Sequence, residues 1–249
     1  MEEIQKESIN SPLKINLQTN PLYILGEILI LFGVAFVFIQ FIKPLAGENL
    51  LYQQAIVWIA NVIMLIWVWI GLKLRGESWN NLGLSIKGIA FKEGFKTFLV
   101  SILVFVLAIV GFIIGSIIMA NITGIPEGSN LSGYDYLKDN LGMLFLTLAG
   151  VYIVSSFGEE VIYRGFLINR ISDMGSGSKM AIVLAVLFSS IIFGFVHYEW
   201  GPMGIAQTFF MGLVLGICYI KLKKNLWILI LAHAYMDTIL MIQMYLASN

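Results

Sequence analysis

From residue 22 to residue 246 the sequence is a train of apolar runs parted by short polar segments. Each run has about the 20 residues that a helix needs to cross a bilayer. They read as about seven spans, residues 22–42, 54–72, 98–120, 141–167, 181–196, 205–220 and 226–246. A helix satisfies its own backbone polar groups, which is the condition for crossing lipid. The alternating ten-residue segments of an outer-membrane barrel are not visible. A water-soluble fold would have to expose much of this apolar surface, because only 12% of the 249 residues are charged and 59% are hydrophobic. The expected fold is all-α, a polytopic transmembrane bundle of about seven helices with an intramembrane polar cavity, and its expected partner is membrane lipid.

Residues 1–20 form a polar tail without the apolar core of a cleavable signal peptide. Residues 21–249 read as one membrane-embedded domain, its first apolar run an uncleaved anchor. Fifteen basic and fifteen acidic residues give a net charge of zero. With no basic stripe, nucleic acid is not an expected partner. Cys218 is the single cysteine, so no intrachain disulfide forms, and it reads as a small buried side chain.

The polar segments alternate in charge. Lys73, Arg75, Lys87, Lys92 and Lys96 crowd the second, against Glu77 and Glu93. The third holds Glu127, Asp135 and Asp139 against Lys138. Arg164, Arg170 and Lys179 mark the fourth, and Lys221, Lys223 and Lys224 the sixth. Basic loops stay in the cytoplasm, so seven spans imply a cytoplasmic N-terminus and an outside C-terminus. The second segment mixes Trp79, Leu82, Leu84, Ile86 and Phe91 with lysines. It suits an amphipathic piece lying on the membrane surface as well as an ordinary structured loop.

Ionisable residues inside spans are costly and are functional candidates by default. Here they gather in three short stretches: Glu159, Glu160 and Arg164 in GEEVIYRGF, His197 at the end of FGFVH, and His233 and Asp237 in HAYMD. Both histidines of the chain belong to this group. Glu160 and Arg164 are four residues apart, so they meet on one helix face as an ion pair. Glu159 points about 100° away, free to face a cavity and act as a general base. Phe193 shares a face with His197, and Asp237 shares one with His233. Asp237 is expected to orient His233 or to touch substrate itself. Depth poses a difficulty. His233 lies about 13 Å along its helix from Lys224, whereas His197 lies about 27 Å from Lys179.

The three stretches match the motifs EExxxR, FxxxH and HxxxN/D, in that order. Over roughly residues 141–246 the chain resembles the CPBP intramembrane proteases, the type II CAAX protease and bacteriocin-processing (Abi) family; further upstream only Leu82-Gly83-Leu84 is similar. The resemblance implies a glutamate-dependent endopeptidase in which Glu159 and His197 activate water, His233 and Asp237 stabilise the oxyanion, and Glu160, Arg164 and Phe193 hold the framework. Its substrate would be a membrane-associated peptide or protein, lipidated or of the bacteriocin or signalling-peptide kind, and its place a bacterial cell membrane. Family members carry Asn or Asp where this chain has Asp237. An ionised carboxylate only accepts hydrogen bonds, so Asp237 is expected to act protonated, as a donor, or else to turn toward His233. No cofactor is expected. The alternative is zinc held by Glu159, His197 and His233 from separate helices, since the chain lacks HExxH. A non-catalytic membrane scaffold or regulator, and a small transporter or proton relay, are the competing readings.

Overall fold

The computed structural model describes residues 12–85, 91–125 and 132–247. These form eight α-helices and no strand: α1 (Pro12–Thr19), α2 (Pro21–Ile42), α3 (Leu50–Arg75), α4 (Phe91–Thr123), α5 (Leu141–Met174), α6 (Lys179–Phe195), α7 (Gly201–Lys221) and α8 (Leu226–Leu246). Six of the described helices, α2 to α5, α7 and α8, are long and apolar enough to cross a membrane. The remaining span expected from the sequence, α6, has only 17 residues. The N-terminal polar stretch is helical from Pro12, and its Gln18 amide donates to the Arg75 carbonyl at 2.8 Å. Lys87, Ile86 and Glu127 lie outside the described residues.

The polar residues between the runs mark where helices begin. Asn20, Asn49, Asn140 and Asn225 each accept, through the side-chain oxygen, from a backbone N–H of the following first turn, and Ser178 does the same for α6. At the other end of α3, Gly76 takes the left-handed conformation with φ +68° and closes the helix. Along α2, α4 and α6 large apolar side chains remain exposed on one face, as lipid contact requires. The second half of α5 differs, for every residue from Glu160 to Arg170 is buried. It is the central helix, and between Tyr152 and Ile168 it winds as a π-helix.

Small residues let two helices approach where lipid gives no hydrophobic push. A Cβ on Gly111 would stand 2.8 Å from the Phe210 carbonyl oxygen, and one on Gly115 2.5 Å from that of Ala206. So α4 lies backbone to backbone on α7. Leu82 and Leu84 are buried, and Gly83 between them (φ +93°) accepts from the Leu226 N–H at 3.2 Å. The Tyr219 hydroxyl donates to the Leu82 carbonyl at 3.1 Å. The Leu82–Leu84 stretch thereby staples the second loop to the start of α8.

A buried ionic network binds α2, α3 and α5. Glu27 Oε2 accepts from Arg75 Nε at 3.0 Å and Nη2 at 2.9 Å, and Arg170 Nε stands 3.5 Å away. Arg170 Nη2 donates to Glu77 Oε2 at 2.7 Å. Gly71 leaves the room for Glu27, since a Cβ there would be 2.2 Å from Glu27 Oε1. Glu27 therefore joins the ionisable residues within spans, and Arg75 and Arg170 are interior cross-links as well as loop charges.

Candidate active site

The register of α5 against α8 is fixed by polar pairs. Lys224 Nζ donates to Asn169 Oδ1 at 2.6 Å. Nine residues back along α5 and nine forward along α8, His233 Nδ1 donates to Glu160 Oε1 at 2.8 Å. Four residues further on each, the Ser156 hydroxyl donates to Asp237 Oδ2 at 2.6 Å. The two helices run antiparallel with these pairs as rungs. A last contact, between the hydroxyls of Tyr152 and Thr238 at 2.8 Å, closes the ladder.

Glu160 is the hub. Its Oε1 also accepts from Arg164 Nη1 at 2.9 Å, the ion pair expected from the spacing. Glu160 is fully buried, so it satisfies a cation on its own helix and a histidine on another. Because a carboxylate oxygen accepts, the Nδ1 proton of His233 is fixed and Nε2 is turned to the other side of the ring. There Nε2 meets Ser155 Oγ at 3.5 Å, Asp237 Oδ1 at 3.8 Å and Glu159 Oε2 at 3.9 Å. The last two distances are too long for direct hydrogen bonds. The carboxylate that orients His233 is thus Glu160, and Asp237 stands beside the ring.

Glu159 and Asp237 retain 17% and 13% of their side-chain surface, against 0% for Glu160. Glu159 Oε2 and Glu160 Oε2 are both buried without a hydrogen-bond partner among the described residues. The adjacent glutamates differ in exposure: Glu160 is sealed into the framework and Glu159 keeps part of its side-chain surface exposed. The π winding turns successive side chains by less than an α-helix does, which keeps both glutamates, and both serines a turn earlier, toward α8.

Phe193 forms the wall shared by the three motifs. Arg164 Cζ lies 4.2 Å over its ring, Tyr163 packs edge-on at 5.0 Å, and His197 and His233 lie 4.9 Å and 6.3 Å from it. Gly212 leaves the space, as a Cβ there would be 3.0 Å from Phe193 Cδ1. His197 sits just beyond the end of α6, its ring between Phe193 and Trp200. Its Nδ1 donates to the Phe193 carbonyl at 2.8 Å, which leaves Nε2 with its lone pair free. Tyr198 and Glu199 follow directly, and Glu199 pairs with Lys43 at the far end of α2.

The difference in depth between the histidines closes in two steps. Lys224 lies opposite Asn169, and α5 continues five residues past it to Met174, about 7.5 Å of rise, before the chain turns into α6. The remaining gap is about one helical turn, and the His197 ring folds back by that amount to bond Phe193.

At the end of the bundle away from Lys224 a turn at Ser132–Leu137 packs beside the site. Leu137 is buried against Leu144, Val151 and Met241. Burial, and after it Tyr136 and the charges of Asp237, Glu159 and Glu199, push the Tyr134 hydroxyl well above its usual range. Toward lipid, Val62, Leu65, Ile66, Trp69, Trp79 and Phe157 line an apolar groove between α3 and α5. Phe157 is two residues from Glu159. Glu27, Ser155, Ser156 and Tyr134 are the polar residues that motif spacing missed. Only the serines left a trace in the sequence, four residues before each glutamate.

Residues 141–239 match the family model described as Rce1-like type II CAAX prenyl endopeptidase. The motif-bearing part of the chain is similar to that family. The match falls on the segment that carries all three Rce1-like motifs, and at the general level it supports a protease embedded in the membrane. No curated protein and no solved structure matches the chain. Among the described residues no three of His, Cys, Asp and Glu are arranged to hold a metal ion. His233 Nδ1 is committed to Glu160 and His197 Nδ1 to Phe193. In each ring Nε2 is the nitrogen left open.

Proposed function

We propose that the chain is an intramembrane endopeptidase that hydrolyses a peptide bond of a membrane-associated peptide or protein, with water activated by Glu159. One observation carries this reading. Motif residues from α5, α8 and the end of α6 converge on Phe193, with Glu159 open and Glu160 sealed beside it. A scaffold has no need of that division of labour.

Water held by Glu159 and His197 Nε2 gives a proton to the Glu159 carboxylate as its oxygen bonds to the substrate carbonyl carbon. The carbonyl π electrons move to oxygen, which meets His233 Nε2–H and Asp237. Since Nδ1 already donates to Glu160, His233 must be an imidazolium to donate through Nε2 as well. The C–N bond then breaks, and the amine leaves with the proton from Glu159. The reaction needs no metal in this reading. The description of the matched family names CAAX prenyl substrates, which puts a lipidated protein first and a bacteriocin or signalling peptide second. The apolar groove ending at Phe157 suits either.

The test is cleavage of a peptide library by purified protein in lipid nanodiscs, with mass spectrometry locating the scissile bond. Defined products that disappear in His197→Ala are expected. Inertness toward every lipidated and unlipidated peptide would favour the scaffold. Chelators should leave activity intact in well-washed protein. Stoichiometric zinc, with loss of activity on its removal and rescue on its return, would overturn the metal-independent step.

A further inference from the structure

The rungs between α5 and α8 repeat one arrangement twice. In the first, buried Glu160 accepts from the inner nitrogen of His233, and Nε2 faces the open side. In the second, buried Ser156 donates to Asp237 Oδ2, and Oδ1 faces the same side, 3.8 Å from His233 Nε2. On each helix the two partners are four residues apart, so Ser156 stands to Asp237 as Glu160 stands to His233. Ser155 completes the repeat. It approaches His233 Nε2 at 3.5 Å, one residue before Ser156 as Glu159 is one before Glu160.

We infer that Ser156 is a positioning residue that pins one oxygen of Asp237 and so aims the other, as a pair with His233 Nε2, at the carbonyl oxygen of the substrate. The inference rests on the proteolytic reading above for its last clause only; the pinning is a property of the two helices. A serine hydroxyl has one proton to give, and here it goes to Oδ2. Whatever atom occupies the other carboxyl position then stands on the side of His233 Nε2, beside Ser155. In an Asp237→Asn protein the same bond holds the amide oxygen on Ser156 and turns the NH₂ group inward.

The experiment uses the full-length protein in nanodiscs with ¹⁵N-labelled histidine. Only two histidines contribute ring signals. Ser156→Ala should shift the His233 ring resonances and leave those of His197 in place. Ser156→Cys keeps nearly the same volume with a weaker donor and should do likewise, which guards against misfolding of the alanine variant. Both variants should lower kcat by about 10–100-fold with little change in KM, the scale of one buried acceptor left without its hydrogen bond. Unmoved His233 signals in both variants would overturn the inference, whatever the protein cleaves. Shifted signals in a wild type that cleaves nothing would leave Ser156 as the pin and remove only the protease reading.

Discussion

Glu159 and Glu160 are neighbours whose surroundings assign them opposite work. Glu160 faces Arg164 and His233 in a sealed position, so removing its charge leaves the buried Arg164 guanidinium without its counter-charge. Glu160→Gln should cost about 3–5 kcal/mol, the usual loss when one partner of a buried pair is removed. A thermal melt in detergent reads this; a melt matching wild type would mean that Arg164 and His233 have other partners. Asp237 makes a second prediction at this scale. We propose that it donates through the carboxyl oxygen opposite Ser156, which requires the acid to be protonated. An amide donates at every pH. Asp237→Asn should therefore keep substantial activity and extend it to higher pH. A folded but inactive Asn variant would assign Asp237 to stabilising the charge of His233 instead.

At the scale of elements, the network of Glu27, Arg75, Glu77 and Arg170 ties α2 and α3 to the central helix. Glu27→Gln should lower thermal stability as much as Glu160→Gln does, yet leave kcat of the folded fraction unchanged, because Glu27 touches none of the motif residues. Equal stability would show the network to be dispensable. The sequence disclosed the elements well: apolar length located the spans, Asn and Ser marked the starts, and spacing gave the Glu160–Arg164 pair. It could not disclose this network, because Glu27 meets residues 48 and 143 positions away and reads alone as one charge in an apolar run. The Ser156–Asp237 rung was hidden likewise. It depends on the register of two helices 81 residues apart, which no local period encodes.

At the scale of the whole molecule, Lys14, Arg75, Arg170 and Lys224 belong to one end of the bundle. Basic residues gather on the cytoplasmic side, so the N-terminus and the Lys221–Lys224 turn are expected there and the C-terminus outside. A cysteine introduced at Lys223 should resist impermeant reagents applied from outside; labelling from that side would reverse the orientation. In that orientation the site lies about 13 Å in from the cytoplasmic turn of α8, with the Ser132–Leu137 turn at the opposite end of the bundle. We propose that its chemistry rests on the Glu159 carboxylate. The most direct test is single-turnover cleavage by Glu159→Gln in nanodiscs, on a substrate that wild type cuts. A folded protein whose cleavage rate falls by about 10²–10⁴-fold is expected, the contribution of a general base. A Glu159→Gln protein that cuts at the wild-type rate would contradict it.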